Sequence, residues 1–64
     1  MEEKYTLEGV DGNAYSVMAY VKEAMRECGK SKKEIDGYLK DAMSSDYNHL
    51  LFVSGVMLDE LNEE

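Results

Sequence analysis

The apolar residues of the first half of the chain recur at helical spacing behind a run of turn formers. The stripe consists of Ala14, Met18, Val21, Met25 and Cys28, with Val17 and Ala24 beside it. Steps of four and three residues are typical of one face of an amphipathic helix. Asn13, or Asp11 before it, can cap the first turn, and Gly29 stands where a left-handed C-cap is needed. The pattern predicts a first helix over residues 14–28.

A second helix is indicated by a capping box at Ser31 and Glu34. In such a box the serine hydroxyl accepts from the first turn while the glutamate side chain reaches back to the serine amide. One apolar face follows the box, made of Ile35, Tyr38, Leu39, Ala42 and Met43. The spacing predicts a helix over residues 32–43.

The third element allows two interpretations. Residues 44–46 offer three successive N-cap candidates, and a helical stripe follows at Tyr47, Leu50, Leu51, Met57, Leu58 and Leu61. Phe52, Val53 and Val56 make the segment apolar around most of its circumference, so a hairpin turning at Ser54-Gly55 is the alternative. The length of the segment favours a helix over residues 46–62. An apolar hairpin of this length would also leave one hydrophobic face uncovered.

The segment before the helices has a different character. Residues 5–8 alternate weakly between apolar and polar, and turn formers occupy residues 9–13. This pattern predicts an extended arm or a short strand over residues 1–12. Short connections between helices imply an all-α, three-helix bundle in one domain, residues 1–64. The predicted core is Val17, Met18, Val21, Met25, Ile35, Leu39, Ala42, Met43, Leu50, Leu51, Val53 or Ser54, Met57, Leu58 and Leu61.

Composition narrows the function classes. The chain has 64 residues, a net charge of −7, one cysteine and one histidine, which excludes an intrachain disulfide and a zinc site built from four Cys or His ligands. No apolar run approaches the roughly 20 residues that span a bilayer, and residues 1–4 do not resemble a signal peptide. We therefore expect a soluble, cytoplasmic protein with no membrane partner, and the acidic charge disfavours nucleic acid.

Three blocks of the chain resemble a family of short proteins encoded by bacterial genomes, phages and other mobile elements. They are Asp-Gly-Asn-Ala-Tyr at 11–15, Gly-Lys-Ser-Lys-Lys-Glu-Ile-Asp at 29–36 and Ala-Met-Ser-Ser-Asp-Tyr-Asn-His-Leu-Leu at 42–51. The resemblance covers about residues 7–51. It implies a bacterial or phage origin, and because no activity or cofactor is attached to that family, it implies no catalytic residue.

One combination of side chains could support nucleophilic catalysis, namely Cys28 with His49 and Asp46. The structural interpretation is stronger, since Cys28 continues a buried stripe and Asp46 complements the dipole of a first turn. A calcium loop beginning at Asp11 fails because its twelfth position is Lys22. We therefore predict a non-enzymatic protein with no cofactor, no metal and no small-molecule substrate.

The charge is polarised along the chain. Residues 22–40 contain six bases and four acids, a balance of +2, whereas the rest carries −9. The candidate basic patch is Lys30, Lys32, Lys33 and Lys40, and the candidate acidic patch is Asp59, Glu60, Glu63 and Glu64. Two functions could use these patches: weak helix-turn-helix binding of DNA, which nearby acids oppose, and an acidic decoy that inhibits a nucleic-acid enzyme. A frayed C-terminus without function is the structural alternative.

Apolar residues also exceed what three helix stripes need. The candidate interaction surface is Tyr15, Tyr20, Phe52 and Val56. Such a surplus indicates a surface that a partner covers, and a chain of this size without a disulfide or metal gains stability by pairing. A homodimer is the leading hypothesis, followed by a different protein partner.

Overall fold

The computed structural model describes residues 4–63, which form an all-α, three-helix bundle. The helices are α1 (Ala14–Glu27), α2 (Lys32–Ala42) and α3 (Tyr47–Glu63). Each helix packs against the other two, and no strand occurs between residues 4 and 63. The predicted bundle is confirmed, and α3 is a continuous helix with no hairpin.

Contacts at the two ends of the bundle define the helix directions. At one end the Tyr47 hydroxyl, at the start of α3, donates to the carbonyl oxygen of Gly12, just before α1. At the other end Tyr5 links Glu27, the last residue of α1, to Asn62 in the last turn of α3. The helices α1 and α3 are therefore parallel, and α2 runs antiparallel to both.

The helix ends form where local side chains satisfy free backbone groups. The Asn13 side chain accepts from the Tyr15 amide at 2.8 Å, and Gly29 takes a positive φ of 81° after α1. There the Lys30 amide donates to the Met25 carbonyl oxygen at 3.0 Å, which closes the helix with a Schellman turn.

The capping box and the N-cap of α3 are both formed. The Glu34 amide donates to the Ser31 hydroxyl at 3.2 Å, and the Glu34 carboxylate accepts from the Ser31 amide at 3.1 Å. At the start of α3, Asp46 accepts from the His49 amide at 2.9 Å. Among the three N-cap candidates of residues 44–46, the structure therefore uses Asp46.

The buried core lies along the axis between the three helices. Its apolar members are Tyr5, Val17, Met18, Val21, Ala24, Met25, Ile35, Tyr38, Ala42, Leu50, Leu58 and Leu61. Ser54 is completely buried among them, and its hydroxyl lies 2.6 Å from that of Tyr38. Four predicted core residues are only partly buried and pack around the rim, namely Leu39, Leu51, Val53 and Met57.

The prediction for Met43 is wrong, since its side chain is 59% exposed. Helix α2 ends at Ala42, and Met43 is the C-cap residue with φ −92° and ψ 3°. The helical spacing that places Met43 on the buried face therefore stops one residue before it.

The N-terminal segment is neither a strand nor a free arm over its described part. Tyr5 is buried, and the Asn62 side chain holds its backbone with two hydrogen bonds of 2.8 Å, one to the amide and one to the carbonyl oxygen. Bends and turns fill residues 4–13. Residues 1–3 of the predicted arm lie outside the described residues.

Candidate functional site

The structure does not bring Cys28, His49 and Asp46 together. The Cys28 thiol donates to the Tyr5 hydroxyl at 3.6 Å, at the end of the bundle where α1 terminates. His49 lies in the first turn of α3, at the opposite end, with its Nε2 3.3 Å from Oδ1 of Asp41. Because a nucleophile and its base must lie within hydrogen-bond reach, this arrangement offers no nucleophilic catalysis.

Two tyrosine hydroxyls have raised pKa values in the bundle. The Tyr5 hydroxyl donates to the Glu27 carboxylate at 3.1 Å, and the Cys28 hydrogen bond, burial and Glu27 together raise the pKa of Tyr5. Burial also raises the pKa of Tyr38, while its hydrogen bond with Ser54 acts in the opposite direction. Both hydroxyls are therefore held in their neutral form.

These pKa shifts predict a loss of stability in base. An unfolded tyrosine ionises at about pH 10, whereas Tyr5 and Tyr38 resist ionisation in the fold. Their contribution to the free energy of unfolding is complete below about pH 10. It is lost as the pH rises towards the pKa values in the folded state, because over that range only the unfolded chain ionises readily. We expect the urea midpoint to fall once the pH exceeds about 10. A midpoint that stays constant into that range would contradict the raised pKa values.

The four residues of the predicted interaction surface do not share one face. Tyr20 is half-buried, since the arm covers it and the Thr6 amide donates to its hydroxyl at 3.2 Å. Tyr15 is 77% exposed near the start of α1, where it lines a hollow together with the end of α2 and the start of α3. Phe52 and Val56 are exposed on α3, on the far side from its buried residues. Tyr20 therefore does not belong to an exposed surface with the other three residues.

Two hollows lie along α1 and α2, and the start of α3 also lines one of them. One hollow, of about 270 Å³, is mostly apolar and is lined by Ala14, Tyr15, Met18, Ala42 and Met43 and, at the start of α3, by Ser45, Asp46, Tyr47 and Leu50. The other hollow, of about 390 Å³, is the basic end and lies between α1 and α2 alone, lined by Lys22, Arg26, Lys30, Lys32, Ile35, Asp36 and Leu39. We call the two hollows together the α1–α2 groove. Ile35 and Leu39 give the basic end an apolar floor.

The groove divides the predicted basic patch. Lys30 and Lys32 line it, whereas Lys33 and Lys40 are exposed elsewhere on α2 and line neither hollow. Lys22 and Arg26 of α1 join the lining, which the sequence alone does not indicate because they belong to another helix.

The outer face of α3 changes character along its length. Phe52, 68% exposed, and Val56 lie one turn apart on it. Asp59 and Glu63 continue the same face at seven and eleven residues from Phe52, and both are exposed. Glu60 is exposed beside them, while Glu64 of the predicted acidic patch lies outside the described residues. The α3 outer face is therefore apolar in its first half and acidic in its second.

The residues that the structure describes contain neither a metal-ligand cluster nor a helix that could span a membrane. Among residues 4–63, no group of three or more His, Cys, Asp or Glu side chains could hold a metal ion. No helix in this part of the chain has the length and apolar character needed to cross a membrane. Comparisons with protein-family models, with curated proteins and with solved structures find no match to this chain.

Proposed function

We propose that this chain is a small, cytoplasmic, non-enzymatic interaction module whose partner is a second copy of itself. The observation that carries the proposal is the exposure of Phe52 and Val56 in the middle of α3. A neighbouring pair of large apolar side chains on an outer helix face marks a contact surface more often than a lone one does. Such a pair gains about 25 cal/mol per Å² when a partner removes it from water.

The choice of a second copy as partner is supported by the distribution of charge. The chain carries an acidic surface around Asp59 and Glu63 and a basic hollow at Lys22 and Arg26, on different sides of the bundle. Two copies can therefore present opposite charges to each other, which favours the correct encounter. Self-association also adds burial to a domain whose own core is small.

The remaining parts of the proposal have separate support. The distance between the ends of the bundle that hold Cys28 and His49 supports a non-enzymatic role. A bacterial or phage origin is supported by the resemblance of residues 11–15, 29–36 and 42–51 to the family named above.

Sedimentation equilibrium of the protein and its Phe52→Ser variant tests self-association. We expect the unsubstituted protein to exceed its monomer mass of 7.3 kDa as its concentration rises through the micromolar range. Phe52→Ser should weaken association by about tenfold or more, because a large aromatic residue at an interface commonly contributes over 1 kcal/mol.

Lys33→Ser is the matched control, because Lys33 is exposed on α2 and lies outside both surfaces. It should leave the association constant unchanged. A constant mass of 7.3 kDa at every concentration, for the unsubstituted protein, would overturn the proposed function.

A further inference from the structure

We infer that the α3 outer face of one copy docks into the α1–α2 groove of the next copy. This inference rests on the proposed self-association and names the two surfaces that form it. The two surfaces each have an apolar half and a charged half, in matching order. The occupant of the groove is therefore a helix whose apolar residues precede its acids by about two turns.

The spacing along α3 matches the spacing along α1. Phe52 and Glu63 are eleven residues apart on α3, and Tyr15 and Arg26 are eleven residues apart on α1. At 1.5 Å per residue both separations are about 16 Å, and eleven residues return to nearly the same side of a helix. A docked α3 running parallel to α1 therefore places Phe52 at Tyr15 and Glu63 at Arg26.

The opposite wall of the groove has the same spacing in the reverse direction. Met43, at the apolar end, and Lys32, at the basic end, are also eleven residues apart. Because α2 runs antiparallel to α1, the docked helix meets Met43 near Phe52 and Lys32 near Glu63. Within each copy α3 already lies parallel to α1 and antiparallel to α2, so the docked helix would run in the same direction as the α3 of the copy that receives it.

The charges at the basic end favour an acidic helix. Lys22, seven residues from Tyr15, stands opposite Asp59, which is seven residues from Phe52. Asp36 also lines this end and opposes the contact, and Arg26 holds an exposed ion pair with Glu23 at 3.2 Å. Because exposed pairs contribute little, the Glu23 pair can exchange for one across the interface.

The apolar end supplies the affinity. Phe52 would enter the hollow of about 270 Å³ beside Tyr15 and Met43, both exposed in the single copy. A methionine side chain adapts readily to an aromatic ring, and burial of such a ring dominates interface energetics. The ion pairs therefore set the register, and the apolar contact holds it.

The contact does not close between two copies. The basic hollow has no lining from α3, and the α3 outer face lies on the far side of α3 from its buried residues, so a copy presents the two surfaces on different sides. A contact of this heterologous kind extends by head-to-tail addition until a ring closes. We expect a mass that rises beyond the dimer as the concentration increases.

A charge-swap experiment by sedimentation equilibrium tests the docking. The groove variant carries Lys22→Glu, Arg26→Glu and Lys32→Glu, and the face variant carries Asp59→Lys, Glu60→Lys and Glu63→Lys. All six positions are exposed, so both variants should keep the helical circular dichroism spectrum. Alone, each should associate at least tenfold more weakly than the unsubstituted protein. An equimolar mixture should restore association, because each groove then meets a face of opposite charge.

The control variant carries Lys33→Glu and Lys40→Glu, which change the charge of α2 outside the groove. It should associate as the unsubstituted protein does. If the unsubstituted protein associates but the charge variants do so equally well alone, or their mixture is not restored, the docking is refuted and self-association stands. If the unsubstituted protein stays monomeric, the proposed function itself fails.

Discussion

Replacing Met25 with alanine is expected to leave much of the protein unfolded at room temperature. Met25 is 1% exposed and lies in the last turn of α1, where its side chain belongs to the buried core. Truncating a buried methionine removes its transfer free energy and leaves a cavity, at a cost of about 2–5 kcal/mol. A single core of this size supplies roughly 3–5 kcal/mol in all, so the loss is comparable with the whole free energy of unfolding.

Urea unfolding followed by helical circular dichroism measures this effect. Met25→Leu is the matched control, since it conserves volume and should cost less than about 1.5 kcal/mol. All three proteins should be compared at one low concentration, because self-association would add a concentration-dependent stabilisation. A Met25→Ala variant whose midpoint stays near that of Met25→Leu would show that the bundle does not depend on dense packing at this position.

The helices and most of their ends follow from local sequence. The capping box of Ser31 and Glu34, the Asn13 cap and the positive φ of Gly29 all form as predicted. Each of these interactions joins residues within about one turn, so the residue types alone determine them. The predicted limits of the helices differ from the observed ones by at most one residue.

The structural features that the sequence does not predict depend on contacts between segments far apart in the chain. Tyr5 and Asn62 are 57 positions apart, and nothing local indicates that an amide side chain will hold the arm. Tyr38 has the spacing of a core residue, yet its importance comes from a hydroxyl partner on another helix. A serine in the middle of an apolar stripe is the available signal for such a pair, because a buried hydroxyl needs a partner.

The candidate interaction surfaces show the same division. Phe52 and Val56 are identifiable from sequence because they lie outside the stripe of their own helix. The α1–α2 groove cannot be identified from sequence. Tyr15, Met43 and Lys22 line its two hollows only once the helices have packed together. The helical pattern also predicts that Tyr20 is exposed. It contains no sign of the N-terminal arm that covers this side chain in the structure.

The buried hydroxyl pair of Tyr38 and Ser54 should behave as a single unit in a double-mutant cycle. Ser54→Ala leaves the Tyr38 hydroxyl in the core without its partner at 2.6 Å, and the desolvation cost should be about 1–3 kcal/mol. Tyr38→Phe strands the serine hydroxyl instead. That hydroxyl can turn to the carbonyl oxygen of Leu50, one helical turn earlier, so this variant should lose less.

The double variant, Tyr38→Phe with Ser54→Ala, should be more stable than the sum of the single losses allows. It removes both hydroxyls, so no buried polar atom is left without a partner, and the coupling should fall within about 0.5–3 kcal/mol. Urea unfolding of the four proteins at neutral pH measures it. Additive losses would mean that the two hydroxyls contribute independently. Above about pH 10 both variants lacking the Tyr38 hydroxyl should also destabilise less steeply, because the unfolded chain then has one fewer tyrosine to ionise.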